Sequence, residues 1–217
     1  MPPPHPSTSP SPPGIVYVLD DEPDMVKALT RLLRAKRFEV RAFTSVRAFL
    51  EAYRPEDPAC LVLDVAMPEL DGLELQRRLD QQDIPLPIIF LTGHGDIPMS
   101  VRAIKAGATD FLTKPVDAAA LVAAVRVALQ TAENRRQTLA ELQDLKTRLA
   151  SLTPREREVM EHVVAGQLNK QVAADLGTGE QNIKLHRAHV MEKMGVESLA
   201  DLVRAAERLG VGKTGDR

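Results

Sequence analysis

Leu61-Val62-Leu63-Asp64-Val65-Ala66-Met67-Pro68-Glu69-Leu70-Asp71-Gly72 runs three apolar residues into a carboxylate before breaking at Pro68 and Gly72. Unbroken rather than alternating hydrophobicity is the mark of a strand covered on both faces, as in a parallel sheet. A strand of that kind ending in Asp64 needs a charge opposite it, because a buried carboxylate without a partner is costly.

The same pattern recurs on both sides. IVYVLD (15–20), FEVRAF (38–43), CLVLD (60–64), PIIFLT (87–92) and DFLTK (110–114) are short apolar runs. Between and after them lie helix-like stretches at Asp24–Lys36, Val46–Tyr53, Leu73–Leu79, Ile97–Ala106 and Ala118–Leu129. Five strand–helix units predict an α/β doubly wound, five-stranded parallel sheet over residues 14–129. Residues 1–13, MPPPHPSTSPSPP, offer almost nothing to bury and read as a disordered tail. Residues 130–150 read as a linker helix. There Leu142, Leu145 and Leu149, with Leu152 just beyond, alternate three and four apart, either as a seam for a partner helix or resting on the helix's own domain. From 151 to 217 the pattern is helical only, which predicts a small all-α domain. Thr153-Pro154-Arg155-Glu156 supplies a helix start, and Gly177 and Gly195 supply stops.

Composition narrows the classes. The 217-residue chain has a formal net charge of −2, so any nucleic-acid surface must be local. Its one cysteine, Cys60, excludes an intrachain disulfide and reads as a small buried hydrophobe. No apolar run reaches the ~18 residues of a membrane helix, and the N-terminus has no secretion signal, so a cytoplasmic protein without membrane partners is expected.

In an open parallel sheet, ligands sit beyond the C-terminal strand ends. Asp20-Asp21, Asp64, Thr92 and Lys114 all fall there, from segments far apart in sequence. Clustered carboxylates raise one another's pKa unless a cation joins them, and oxygen ligands of this kind suit Mg²⁺. One aspartate can attack phosphorus to give an acyl phosphate, while a lysine and a hydroxyl stabilise the transferring group.

These residues, with LVLDVAMPELDG, Thr92-Gly93, GATDFLTKP and Lys114-Pro115, resemble the receiver domain of two-component response regulators, a flavodoxin-like fold. The resemblance implies that Asp64 takes phosphate from a histidine kinase. It implies Asp21, Asp64 and the backbone carbonyl of Ala66 as Mg²⁺ ligands, with Asp20 acting through water. Lys114 would pair with the phosphoryl group, Thr92 and Phe111 would form a switch pair, and Pro115 would follow a cis peptide. Ala66 departs from the family pattern, which commonly has a polar residue there; His94 is the other residue placed to hold water.

In the C-terminal part, Asn169–Leu176, Gly177-Thr178-Gly179 and Glu180–Met194 have the form of a helix–turn–helix. Lys184 and Ala188 share one face, and Val172, Leu176, Ile183 and Val190 point inward. LTPREREVMEHVVAGQLNKQVAADLG and IKLHRAHVMEKMGVESLADLVRAAERLG resemble the LuxR-type DNA-binding domain, and the pairing with a receiver resembles the NarL/FixJ class, in its FixJ-like branch. By that pattern Lys184, Leu185 and Ala188 approach base edges, Asn169, Lys170, His186 and Arg187 approach phosphates, and Ser198–Leu209 mediates dimerisation. Gly179 and Asn182 replace the usual hydroxyl residues; Thr178 with Gln181 is then a candidate capping box, and Asn182 joins the DNA-facing set.

The expected protein is a phosphorylation-controlled transcriptional regulator, not an enzyme. Its partners would be a histidine kinase, double-stranded operator DNA, a second copy on activation, and RNA polymerase. The competing readings are a phosphohydrolase using Asp64, against which the lack of an acid–base group at Ala66 counts, and a receiver acting only through protein contacts. GVGKTG (210–215) is no phosphate-binding loop, since no strand precedes it, and His162, His186 and His189 lack the further ligands of a metal site.

Overall fold

The computed structural model describes residues 14–55, 57–68, 70–82, 84–93 and 107–211. The N-terminal tail, His94, the helix expected over Ile97–Ala106 and the last six residues lie outside them. The chain divides into two compact units, 1–136 and 137–217.

The first unit is built on β1 (Ile15–Leu19), β2 (Glu39–Phe43), β3 (Ala59–Asp64), β4 (Ile88–Thr92) and β5 (Asp110–Thr113). All pairings are parallel, in the order β2-β1-β3-β4-β5. The described helices are α1 (Pro23–Ala35), α2 (Val46–Ala52), α3 (Gly72–Gln81) and the start of α4 (Ala118–Ala150). Alternate strand residues serve opposite cores. Tyr17, Leu19, Leu61, Leu63 and Phe90 pack with Phe49 of α2 and Leu75 of α3. Val16, Val18, Val62, Ile89 and Leu91 pack with Leu29 and Leu33 of α1 and Leu121 and Val125 of α4. Both faces of β1, β3 and β4 are dry, which is why these strands read as unbroken apolar runs. Cys60 is fully buried, and burial pushes its thiol pKa up, so it packs as a hydrophobe and does not react as a thiolate.

Register places the site. Leu19 pairs with Leu63, so Asp20 and Asp64 follow at the same level. Thr92 pairs with Thr113, so Lys114 comes one step beyond.

The helix expected to end at Leu129 continues without a break to Ala150. No glycine or proline falls between Ala118 and Ala150, so nothing in the sequence stops it. The boundary expected between 129 and 130 therefore lies inside one helix.

The second unit comprises the end of α4 with α5 (Pro154–Val164), α6 (Asn169–Asp175), α7 (Glu180–Met194) and α8 (Leu199–Leu209). Val159, Met160, Val163, Val172, Ile183, Val190, Met194 and Leu202 form its core. Leu145 and Leu149 pack against that core, and Leu152 belongs to it. Three of the four seam leucines thus serve the helical unit itself: a core this small needs the last turns of α4 as a wall.

The capping at Thr153 matches expectation. Its hydroxyl accepts from Glu156 N at 3.3 Å, and Glu156 Oε2 accepts from Thr153 N at 2.8 Å. The Thr178–Gln181 box does not form. Gly179 is the N-cap of α7 and has no side chain to offer; instead Asn182 Nδ2 donates to Thr178 Oγ1 at 3.1 Å. The physical reason is register: the box needs its hydroxyl on the N-cap residue, and Thr178 stands one residue before it.

Candidate functional site

At the sheet edge, Asp20 follows the first strand and Asp64 ends the third, with side chains 1% and 6% exposed. Lys114 arrives from the end of β5, and its Nζ lies 2.8 Å from Asp20 Oδ2 and 3.0 Å from Asp64 Oδ1. One ammonium bridges both acids, which answers what sits opposite Asp64. Asp20 Oδ1 also accepts from Glu22 N at 2.9 Å. Asp21 completes the group, since one carboxylate oxygen from each of Asp20, Asp21 and Asp64 lies within 4.8 Å of the others. Among the described residues these three acids are the group of metal-ligating type, and the cluster is compatible with a Mg²⁺ ion.

The charges are imbalanced. Burial pushes the Asp64 carboxyl above the usual carboxylate range; Lys114 pulls it back, and Asp20 and Asp21 push it up again. Burial acts against the charge on Lys114, yet the hydrogen bonds to Asp20 and Asp64 prevail and its pKa is raised. Three acids and one lysine leave negative charge at a site where Asp20 and Asp64 are buried and Asp21 is open to solvent, an arrangement that a divalent cation relieves.

The backbone behind Asp64 is fixed. Val65 N donates to Leu91 O at 3.0 Å, and Gly72 N donates to Val65 O at 3.0 Å. Gly72 opens α3 so close to β3 that an added Cβ would lie 2.7 Å from the Asp64 carbonyl oxygen. Thr92 is buried, and its carbonyl accepts from Lys114 N at 2.6 Å. Phe111 is half-buried with its ring 6.3 Å from Phe90, so the expected switch pair lies on neighbouring strands. Lys114-Pro115 is cis, as the resemblance implied. Ala66 is exposed beside this edge.

On the helical unit, Lys184, Leu185 and Ala188 of α7 are all exposed. Leu185 is 56% exposed, a large apolar side chain that folding alone does not account for. Lys184 is held loosely, 3.6 Å from Glu180 on the preceding turn. Asn169 and Arg187 come together across α6 and α7, with Arg187 Nη1 donating to Asn169 Oδ1 at 3.1 Å. Lys170 is exposed, while His186 is half-buried with an enclosed Nδ1 that has no partner among the described residues. Asn182 is exposed but uses its amide on Thr178. Of the histidines weighed as metal ligands, His162 lies 2.5 Å from Gln167 Oε1 and His189 lies 3.6 Å from Glu156, and they form no cluster.

Sequence reasoning missed one grouping. Glu156, read only as part of a helix start, is buried and also accepts from Lys193 Nζ at 2.7 Å. The two residues are 37 apart, and no local signal links them.

A doubly wound sheet with three acids and a lysine at its C-terminal edge, joined by a helix to a helix–turn–helix, defines a phosphorylation-controlled regulator of transcription. Residues 16–126 match the response regulator receiver domain, and residues 150–206 match the bacterial regulatory proteins of the luxR family. The chain is 48% identical to nodulation protein W of Bradyrhizobium diazoefficiens, over 91% of this chain and 87% of that protein. It is 44% identical to the transcriptional regulatory protein FixJ of the same organism, over 91% and 97%. Among solved structures it resembles the response regulator StyR, with a TM-score of 0.82 and 44% identity over 90% of this chain and 99% of that one. The chain belongs to the response regulators of the NarL/FixJ class. The class is one of transcriptional regulators, which disfavours the phosphohydrolase reading.

Proposed function

We propose that Asp64 is the phosphoacceptor through which a histidine kinase controls DNA binding by α7. The observation that carries this is the single Lys114 ammonium within 3.0 Å of both Asp20 and Asp64, on a rigid strand end. An Asp64 carboxylate oxygen attacks the phosphorus of a phosphohistidine, the P–N bond breaks, and its electron pair returns to the imidazole. Lys114 would neutralise the oxygens of the arriving group, and the Thr92 hydroxyl would donate to one of them. Phe111, on the neighbouring strand, would follow Thr92 as the second half of the switch. The donor set suits Mg²⁺, which Asp21, Asp64 and the Ala66 carbonyl would hold, with Asp20 acting through water; it would supply charge neutralisation to the phosphoryl oxygens.

In the helical unit, Lys184, Leu185 and Ala188 would meet base edges. Leu185 is suited to a thymine methyl and Lys184 to guanine, once its loose contact with Glu180 is given up. Lys170 and the Asn169–Arg187 pair would meet phosphates. Asn182 and His186 are held by the fold and contribute less directly. Phosphorylation would favour a homodimer through α8, presenting two α7 helices to a two-fold-related operator in the cytoplasm, with RNA polymerase as a further partner.

The test is incubation with acetyl phosphate and Mg²⁺, read by intact mass. Wild type should gain one phosphoryl group and Asp64→Asn none; labelling of the mutant overturns the assignment.

A further inference from the structure

Lys184 and Leu185, two of the base-reading residues proposed above, lie in the N-terminal half of α7, whereas a set of contacts that fixes α7 is at its other end. Lys193 Nζ donates to Glu156 Oε2 at 2.7 Å and lies 3.5 Å from Ser151 O. His189 Nδ1 stands 3.6 Å from the other Glu156 oxygen. Arg148, in the last turn of α4, donates to Met194 O at 3.1 Å and is itself steadied by Asp144 at 2.9 Å. Gly195 closes α7 in the left-handed conformation at φ 64°, and the Arg148 guanidinium occupies the space a side chain there would need. The Glu156–Lys193 bond also holds Glu156 well below the usual carboxylate range, at about 2, together with the backbone N–H of Thr153. The Glu156 carboxylate is therefore ionised throughout the neutral range.

We infer that Glu156, Lys193 and Arg148 are positioning residues for operator recognition, fixing the C-terminal end of α7 and so aiming Lys184 and Leu185 without touching the bases. The lever is long. Lys184 and Lys193 are nine residues apart, about 13 Å along the axis at ~1.5 Å per residue, so a tilt of about 10° at the clamp moves Lys184 by about 2 Å. Hydrogen bonds to base edges tolerate only about 0.5 Å. Phosphate contacts, being longer-ranged and independent of sequence, would survive such a tilt. Loss of the clamp should therefore remove discrimination before it removes binding.

This rests on the reading that α7 reads the operator. The probes are the tightest duplex that the wild-type full-length chain selects from a random pool, and an unselected duplex of equal length. Lys193→Met should bind the selected duplex about tenfold more weakly, the equivalent of one lost base contact, and the unselected duplex unchanged. The dependence of its affinity on salt should keep the wild-type slope, and Lys193→Arg should restore selective binding. Glu156→Gln and Arg148→Met should lower the same ratio. A slope reduced by about one unit would make Lys193 a phosphate contact and overturn the inference. So would undiminished selectivity, or a loss on both duplexes that only tracks the fraction of protein unfolded in a circular-dichroism melt. Lys184→Ala separates the two levels: if it leaves selectivity intact, the reading of α7 fails, whatever Lys193 does.

Discussion

Asp64 and Glu156 are both 4% exposed and both bonded to a lysine, yet their acidities move in opposite directions. Asp64 sits at the end of a central strand, where burial outweighs Lys114 and two further acids add to the rise. Glu156 is covered by side chains that are themselves partly solvated, Lys193 at 36% and His189 at 44%, and it takes the shorter bond of Lys193 and the Thr153 N–H with no second acid beside it in the cluster. The Lys193 hydrogen bond then dominates and lowers it to about 2. The difference separates a cluster with more acids than bases from an acid matched by its own lysine. The sheet edge keeps a surplus of negative charge that a divalent cation can balance.

The comparison breaks most visibly at the lysines. Lys114→Met should lower the rate of phosphorylation by acetyl phosphate about 10²–10³-fold, the usual loss for one preorganised charge-stabilising group. Quenched-flow labelling would measure it, and a change under twofold would mean that Lys114 only pairs with acids at rest. Lys193→Met should leave that rate untouched.

Next is the response to acid. Glu156 has a folded-state pKa below its ordinary 4.5, so its contribution to stability is complete above pH 4.5 and is lost as pH falls through about 2. Asp64 is raised, so its ionised form opposes folding, and protonation on acidification removes that opposition. Glu156→Gln should cost about 1–2 kcal/mol at neutral pH through the lost charged hydrogen bond and weaker cap, a modest sum because Lys193 remains partly solvated. The deficit should disappear toward pH 2. The chain has no tryptophan, and both tyrosines, Tyr17 and Tyr53, lie in the first unit. Near-ultraviolet signals therefore follow that unit alone, while far-ultraviolet helicity follows both. If the deficit persists unchanged at pH 2, the carboxylate is not its source.

The smallest expected effect is at Ala66. It is exposed beside the acid cluster and offers no donor or acceptor to a water in line with the phosphorus. Ala66→Asn should shorten the lifetime of phosphorylated protein several-fold, followed by decay after removal of the phosphodonor. Equal or slower decay would show that this position does not hold the attacking water.

Much of this was legible in the chain. Dry strands read as apolar runs because both faces of β1, β3 and β4 are covered, and in a parallel sheet all strand ends of one kind share an edge. Asp20, Asp64, Thr92 and Lys114 could therefore be gathered from sequence alone, and the inward set Val172, Ile183 and Val190 followed from helical period. Thr153 and Glu156 gave a cap because capping is local, between residues three apart. The Thr178 box failed because helix register is set to within one residue only by packing.

What the sequence by itself determined was the order of elements, the dry faces and which polar residues reach one edge, since these follow from periodicities of two and 3.6 residues. Only the tertiary structure decided that Lys114 bonds Asp20 and Asp64 together, that Gly72 must lack a Cβ to pass the Asp64 carbonyl, and that α4 runs unbroken to give Leu145 and Leu149 to the helical core. It alone joined Glu156 to Lys193. Such contacts link residues far apart along the chain, at angstrom precision, and depend on how elements pack rather than on any local pattern.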